Sequence, residues 1–282
     1  MLTQIELIRK YNLSIRGNSG QHLLIDPNIQ RKIVELVRLS SADTVLEIGP
    51  GLGALTHLIL ESGAKVVAVE KDGEFVKILE AEFGDYKNFK VVHEDILQYD
   101  LKKITKSKTK KIKVIGNLPY YITAPILFHL LEYRGMISEA VFTVQKEVAD
   151  RLVAVPGNKN YGRLTLGIRY YADVTQAFNI SKSCFTPKPE VDSSAVYLQF
   201  HNKEEKNKKV NEKKLFQLIQ AAFGQRRKTL LSILSKHPEY KIDRSKAILI
   251  FKKLGFLETV RGEELLLKDY LDLQSALSKK GE

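Results

Sequence analysis

Two hydrophobic spacings alternate along the first 200 residues. Short apolar runs predict buried strands at 44–49, 65–70, 89–95, 111–117 and 139–145. Apolar residues three or four positions apart predict helices at 27–39, 54–63, 73–83, 125–135 and 145–154. Repeated strand–helix units form a mostly parallel sheet with helices on both faces. Two later runs predict strands of an antiparallel edge, at 174–180 and 194–200.

The C-terminal part has only the helical spacing. It predicts helices at 213–224, 227–236, 245–255 and 267–280, which suggests a small bundle. The stretch 201–214 before it is polar and has too few apolar residues to form a core. The pattern therefore predicts an α/β domain at 1–200, a linker at 201–214 and an all-α domain at 215–282.

Charge sets the two predicted domains apart. The chain has 45 Lys and Arg against 33 Asp and Glu, and residues 201–282 alone contain 19 against 11. A net charge of +8 there suggests a polyanionic partner, although solvated lysines would give the same count. The single cysteine, Cys184, excludes a disulfide framework, and no apolar run is long enough to span a membrane. We expect a cytoplasmic protein with no metal site and no membrane association.

A glycine-rich turn between the first strand and its helix is the first candidate site. Gly49, Gly51 and Gly53 allow a tight turn and close approach of a ligand, and the helix N-terminus offers free N–H groups. Glu70 ends the next strand, where its carboxylate can accept both hydroxyls of a ribose. This spacing fits a nicotinamide dinucleotide, S-adenosylmethionine (SAM) or a plain strand-to-helix turn.

Further acidic residues favour SAM. Asp95 ends the third strand, where it can accept from the amino group of an adenine, and Ile96 can cover the face of the ring. Glu47, Glu70 and Asp95 lie near successive strand ends. Three carboxylates would repel a pyrophosphate, whereas they suit the positive sulfonium of SAM.

The most specific motif is Asn117-Leu118-Pro119-Tyr120, directly after a strand. An adenine amine is a poor nucleophile because its lone pair is delocalised into the ring. The Asn117 side-chain oxygen and the Leu118 carbonyl can accept its two N–H groups and so localise the lone pair. Pro119 stiffens the turn, and Tyr120 can stack on the base. The alternative is an ordinary turn at the end of a strand.

With these motifs, the sequence resembles the KsgA/RsmA family of ribosomal RNA adenine dimethyltransferases. The matching segments occur in the family's order and are GQHLLID (20–26), EIGPGLGALT (47–56), NLPYYIT (117–123), QKEVADRL (145–152), NYGRLT (160–165), FTPKPEVDSS (185–194) and AAFGQRRKTL (221–230). One departure is Leu23, where the family pattern has Phe. The resemblance implies a Rossmann-like SAM-dependent methyltransferase domain and a small helical domain that contacts rRNA.

The resemblance also implies roles for cofactor-binding residues. His22 and Leu24 would line the methionine end of SAM, and Gly49 would contact its amino acid group. Glu70 would hold the ribose and Asp95 the adenine. The product would be S-adenosylhomocysteine, and no metal is implied.

On the target side, the resemblance implies that Asn117 is shared between cofactor and target amine. Phe185 would stack on a flipped adenine opposite Tyr120. The implied reaction dimethylates two adjacent adenines in the 3′-terminal hairpin loop of small-subunit rRNA. The implied substrate is a pre-ribosomal 30S particle, and we expect the enzyme to be a monomer with a role in subunit biogenesis.

Basic residues of the helical domain are candidates for RNA contact. Arg226, Arg227 and Lys228 are consecutive, and Arg can bind a phosphate at two points. A cluster complementing a helix dipole is the alternative, but the charge of residues 201–282 favours RNA. Arg163 is a further candidate.

Three other functions fit parts of the pattern. A large-subunit rRNA adenine methyltransferase of the macrolide-resistance type would share the glycine turn and the Asn117 loop, but the AAFGQRRKTL segment favours the small-subunit type. A ribosome-assembly factor without catalysis would not need Glu70, Asp95 and Asn117. An NAD-dependent oxidoreductase would need an acid or base near the nicotinamide, for which the sequence offers no good candidate.

Overall fold

A computed structural model of the chain describes residues 2–15, 22–105, 107, 109–201, 210–237, 240 and 242–278. It forms two compact units, each made of two stretches of sequence. The first unit is Met1–Ala149 with Tyr171–His201, and the second is Asp150–Tyr170 with Asn202–Glu282.

The first unit is built on a seven-stranded sheet and a separate two-stranded ribbon. The strands of this unit are β1 (Leu23–Leu24), β2 (Thr44–Ile48), β3 (Lys65–Glu70), β4 (Phe89–His93), β5 (Ile112–Asn117), β6 (Ile137–Gln145), β7 (Ala172–Ile180), β8 (Phe185–Thr186) and β9 (Ser193–Phe200). The large sheet has the order β4-β3-β2-β5-β6-β9-β7, and β1 pairs with β8. The strands from β4 to β6 are parallel, whereas β9 runs antiparallel to β6 and β7. This confirms the predicted fold class and the predicted antiparallel edge.

The helices follow local signals in the sequence. Those that start in the first unit are α1 (Gln4–Lys10), α2 (Pro27–Glu35), α3 (Thr56–Glu61), α4 (Gly73–Phe83), α5 (Thr123–Glu132) and α6 (Lys146–Leu152). Asp26 caps α2 by accepting from two N–H groups of the first turn, and Pro27 occupies the first helical position. This helix ends before the predicted boundary at 39, and Arg38 beyond it takes a left-handed φ of 40°.

Parallel pairing brings the carboxyl ends of four strands to one edge of the sheet. Ile48 of β2 pairs with Val69 of β3, and Glu70 pairs with His93 of β4. Asn117 ends β5 opposite Thr143 of β6. The loops that follow these strands therefore meet at this edge, where ligands bind in open α/β sheets.

The second unit is helical. Its helices are α7 (Arg163–Arg169), α8 (Glu212–Gly224), α9 (Leu230–Lys236), α10 (Arg244–Leu254) and α11 (Leu267–Ser278). The predicted C-terminal helices are present, while α7 was not predicted. Among the described residues, no helix has the length and hydropathy needed to cross a bilayer.

The unit boundaries differ from the predicted domains at 1–200 and 215–282. Residues 150–170 pack with the C-terminal helices: the hydroxyl of buried Tyr161 donates to the Leu265 carbonyl at 2.8 Å, and Gly157 N donates to the Glu263 carbonyl at 2.9 Å. These contacts span about a hundred residues, and local periodicity does not reveal them. Of the predicted linker at 201–214, residues 202–209 lie outside the described residues, and its end is already part of α8.

Candidate active site

A cleft of about 280 Å³ lies at the carboxyl edge of the sheet. It is formed by the loops after β2, β3, β4 and β5 together with the segment at β1. Most of the predicted site residues line it, namely His22, Gly49, Gly51, Glu70, Asp95, Ile96, Asn117, Leu118, Pro119 and Tyr120. Residues that were inferred separately along the sequence thus share one cavity.

The glycine turn lines the cleft with backbone atoms, because Gly49 and Gly51 have no side chains. Gly49 and Gly51 have φ values of 61° and 58°, which strain any residue with a side chain. A Cβ on Gly51 would lie 2.9 Å from the Leu23 side chain. A Cβ on Gly49 would meet no atom within 4 Å, so this turn leaves open space where a ligand can touch the backbone.

Glu70 is buried at the end of β3 and held by backbone N–H groups. Its Oε2 accepts from Gly51 N at 3.1 Å and its Oε1 from Asp72 N at 2.9 Å. Burial raises the pKa of Glu70 above its ordinary value, and these hydrogen bonds work against that rise. The carboxylate is therefore fixed in place beside the glycine turn.

Glu47 does not line the cleft, contrary to the expected ring of three carboxylates. It is buried, and its Oε2 accepts from the Thr56 hydroxyl at 2.7 Å. Burial raises the pKa of Glu47 to about 8. Only Glu70 and Asp95 of the three carboxylates border the cavity.

Asp95 is engaged with a cation at the rim of the cleft. Its Oδ2 accepts from Lys71 Nζ at 2.8 Å, and its Oδ1 accepts from Leu97 N at 3.0 Å. The hydrogen bond with Lys71 lowers the pKa of Asp95, so its carboxylate stays ionised. The next residue, Ile96, is buried and lines the inner wall.

The Asn117 amide is oriented by the segment that precedes β1. Its Nδ2 donates to the His22 carbonyl at 2.8 Å. Its Oδ1 accepts no hydrogen bond from the residues that the structure describes, and is left as an acceptor at the cleft. Leu118 N donates to the Thr143 carbonyl at 3.1 Å, which fixes the loop beyond the strand.

Tyr120 and His22 form the wall beside Asn117. Their rings stack with centroids 5.4 Å apart. The Tyr120 hydroxyl shares a hydrogen bond of 2.7 Å with Ser193 Oγ. His22 Nδ1 lies 2.7 Å from the Pro187 carbonyl, and because a carbonyl only accepts, Nδ1 carries the proton. Both rings are thereby held in defined orientations.

Two predicted site residues are buried elsewhere. Leu24 is 1% exposed and Phe185 3% exposed; they pair across β1 and β8 and belong to the hydrophobic core. Leu23 lines the cleft instead. Neighbouring residues of a strand point to opposite sides, and two consecutive leucines give no periodicity from which to choose the side. The predicted stacking of Phe185 on a target base conflicts with its place in the core.

The cleft also contains residues that sequence reasoning missed. Lys71 follows Glu70, Tyr121 follows Tyr120, and Phe75 lies on α4. The first two adjoin predicted site residues, and that adjacency was the available signal. Phe75 becomes part of the wall only because α4 packs beside the strand end.

The four predicted RNA contacts differ in their surroundings. All four are exposed, but among the described residues Arg226 alone of them makes side-chain hydrogen bonds. Arg226 is bound within the second unit: Nε donates to Glu263 Oε2 at 2.9 Å, and Nη2 forms an ion pair with the same oxygen at 2.9 Å. Nη1 and Nη2 donate to the Lys159 and Tyr161 carbonyls, each at 3.1 Å. Its guanidinium therefore has a structural role, for which consecutive basic residues gave no signal.

The sequence matches one protein family over most of its length. The model of the family described as ribosomal RNA adenine dimethylase matches residues 12–254, a range that includes the whole cleft. The chain belongs to the ribosomal RNA adenine dimethylase family. It is a SAM-dependent rRNA methyltransferase.

Relatives of this dimethylase match it over nearly its whole length. A protein of Lachnoclostridium phytofermentans named ribosomal RNA small subunit methyltransferase A is 40% identical over 98% of this chain and 96% of its own. A protein of the same name from Halothermothrix orenii is 40% identical over 96% of this chain and 91% of its own. The family resemblance inferred from the motifs is confirmed.

Solved structures agree with the fold. The crystal structure of a dimethyladenosine transferase from Plasmodium falciparum has a TM-score of 0.77 and 29% identity, covering 89% of this chain and 96% of that one. The 23S rRNA methyltransferase ErmE has a TM-score of 0.70 at 22% identity, covering 91% of this chain and all of ErmE. At that identity, the likeness to ErmE concerns the fold alone.

Proposed function

We propose that this dimethylase transfers methyl groups from SAM to the exocyclic amines of two adjacent adenines in the 3′-terminal hairpin loop of small-subunit rRNA. The main support for the proposal is that one cleft contains the glycine turn, the Glu70 carboxylate beside it and the Asn117 amide oriented by His22. The names of the 40% identical relatives support the small subunit as the target.

The glycine turn and two carboxylates fit the cofactor. The open space at Gly49 suits its amino acid group, Glu70 would hold the ribose hydroxyls, and Asp95 would accept from the adenine amino group. When bound, SAM supplies a methyl group on a positively charged sulfur. Four acidic residues and one lysine line this cleft, a balance that favours a cationic ligand.

On the target side, the chain's task is to make an adenine amine nucleophilic. Asn117 Oδ1 and the Leu118 carbonyl would accept the two N–H groups, so that the nitrogen lone pair localises. The Nδ2 bond to His22 keeps Oδ1 available for this purpose. Holding the amine in one orientation supplies much of the rate enhancement.

The base itself would lie against Tyr120. The bond to Ser193 holds the ring, and His22 already covers one of its faces. The base would therefore stack on the other face of Tyr120. Adenines in a hairpin loop are cheaper to extrude than paired ones, so the cost of presenting the base is small.

The second unit would hold the RNA. Arg163, Arg227 and Lys228 are exposed cations suited to phosphate contacts. The substrate we propose is a pre-ribosomal 30S particle, bound by a monomer of the enzyme. This substrate and the unpaired Cys184 favour work in the cytoplasm.

A transfer assay with labelled SAM tests the proposal. Unmethylated small and large ribosomal subunits are offered in parallel, and the product nucleosides are resolved. We expect dimethyladenosine in small-subunit rRNA alone. Label in the large subunit would indicate a resistance-type enzyme instead. Tight small-subunit binding without label would indicate an assembly factor, and either result would overturn the proposal.

A further inference from the structure

Tyr121 is a large aromatic residue that the fold leaves in solvent at the cleft. The residue is 66% exposed although it lines the cavity. The preceding Tyr120 is held by Ser193 and His22. Successive residues of a 3-10 turn point about 120° apart, so the two tyrosines face different sides of the loop. Among the described residues, no aromatic ring stacks on Tyr121.

Tyr121 lines the same cavity as Lys71 and Asp95. The pKa of Lys71 is raised, mainly by its hydrogen bond to Asp95 and to a smaller extent by the nearby Tyr121 phenol. The Lys71 side chain is 70% exposed. This part of the rim thus combines an aromatic ring, an ammonium group and a carboxylate.

The inner wall on this side is apolar. Ile96 is buried, lines the cavity and directly follows Asp95. An adenine whose amino group meets Asp95 would have Ile96 on the protein side and solvent on the other. An aromatic ring over the second face of the adenine would stabilise its binding by stacking. The expected size of this effect is that of the aromatic residues on which bases stack in single-strand binding proteins.

We infer that Tyr121 stacks on the adenine of the cofactor from the solvent side, opposite Ile96, and closes the adenosine end of the cleft. The inference rests on the proposed function, which assigns Asp95 to that adenine. It makes Tyr121 a cofactor-binding residue, distinct from Tyr120 on the side of the target base. Lys71 then shares Asp95 Oδ2 with the adenine amino group, since that oxygen has a second lone pair.

Calorimetric binding of S-adenosylhomocysteine to the free enzyme tests the inference. We expect Tyr121→Ala to raise the Kd roughly tenfold and Tyr121→Phe to leave it within about twofold, because stacking needs the ring and not the hydroxyl. Phe128→Ala is the matched control, because Phe128 is 46% exposed on α5 but does not line the cavity. An unchanged Kd for folded Tyr121→Ala would overturn the inference.

A shorter probe locates the effect along the cofactor. 5′-Methylthioadenosine lacks the amino acid part, so Tyr121→Ala should weaken its binding by the same factor. A normal Kd for both probes, with a raised KM for small subunits, would assign Tyr121 to RNA and overturn the inference. Failure of the wild-type enzyme to bind S-adenosylhomocysteine would overturn the proposed function as well, which separates the two failures.

Discussion

The second unit, residues 150–170 and 202–282, contains 23 Lys and Arg against 12 Asp and Glu, whereas the first unit contains 22 against 21. Almost the whole net charge of +12 therefore belongs to the helical unit. The first unit instead buries the carboxyl groups of Glu47 and Glu70 near its glycine turn. A cationic cofactor is best bound where positive charge is not in excess, whereas RNA phosphates need a positive surface.

The inserted segment 150–170 shows that this division follows packing. It contributes four basic residues and one acidic residue, and it contacts the C-terminal helices through Tyr161 and Gly157. The chain on both sides of this segment belongs to the first unit, but the segment itself packs with the second unit and adds to its positive charge. The cleft therefore belongs to the unit that is nearly neutral, and the excess positive charge belongs to the other.

The largest expected effect is a loss of methyl transfer by a substitution in the first unit that leaves the charge of the second unit unchanged. Asn117→Ala should lower methyl transfer by about 10²- to 10³-fold, as the loss of one oriented polar contact to a reacting group does elsewhere. Affinity for small subunits should change little. Single-turnover transfer and filter binding measure the two separately.

Asn88→Ala is the matched control for Asn117→Ala. The Asn88 amide also donates to a backbone carbonyl, that of Ala64 at 2.8 Å, but it does not line the cleft. Normal transfer by Asn117→Ala would remove this amide from the mechanism. Equal losses in both variants would trace the effect to stability.

The buried acid of the first unit predicts a pH-dependent stability. Folding raises the pKa of Glu47 from 4.5 to about 8, so the folded protein retains a proton that the unfolded chain releases. Stability should fall as the pH rises from about 4.5 to 8. Glu47→Gln should remove that part of the slope and raise the free energy of unfolding at pH 8 by roughly 2–4 kcal/mol.

Denaturant unfolding at pH 5 and pH 8 checks the Glu47 prediction. Exposed Glu80, changed to Gln, is the control for losing one carboxylate. The same pH slope in Glu47→Gln and in the wild-type protein would mean that Glu47 does not titrate as the fold implies.

A substitution of Arg226 distinguishes a structural role of this residue from a role in RNA binding. Arg226→Ala should destabilise the turn at 157–161 by about 2 kcal/mol, because Glu263 and two carbonyls lose their donor. Faster hydrogen exchange at Gly157 N–H would report this. The salt dependence of particle binding should stay close to that of the wild type. A clearly shallower dependence in a folded variant would restore Arg226 to the RNA contacts.

The smallest expected effect concerns the exposed cations. Arg227→Gln with Lys228→Gln should weaken small-subunit binding about tenfold at moderate salt and reduce the salt slope by about 2. Lys87→Gln with Lys90→Gln makes the same charge change on exposed residues of the first unit and should have little effect. Equal losses in both pairs would contradict the division of labour between the units.

Local patterns in the sequence predict the order of strands and helices and most of the residues of the cleft. The turn at Gly49 and Gly51, Glu70, Asp95 and the Asn117 loop all follow strand ends that apolar runs predict. Parallel strands bring their carboxyl ends to one edge, so local patterns were enough to predict that these residues meet. The same motifs carried the resemblance to the family.

Which of these side chains reach the cleft or the solvent depends on contacts between segments that are distant in sequence. Leu23 lines the cleft and Leu24 the core because the short strand β1 pairs with β8, far away in sequence. That pairing also places Phe185 in the core. Arg226 finds its partners more than 35 residues away. Periodicity reports on neighbours along the chain, whereas burial and hydrogen bonding depend on contacts that form only when distant segments pack together.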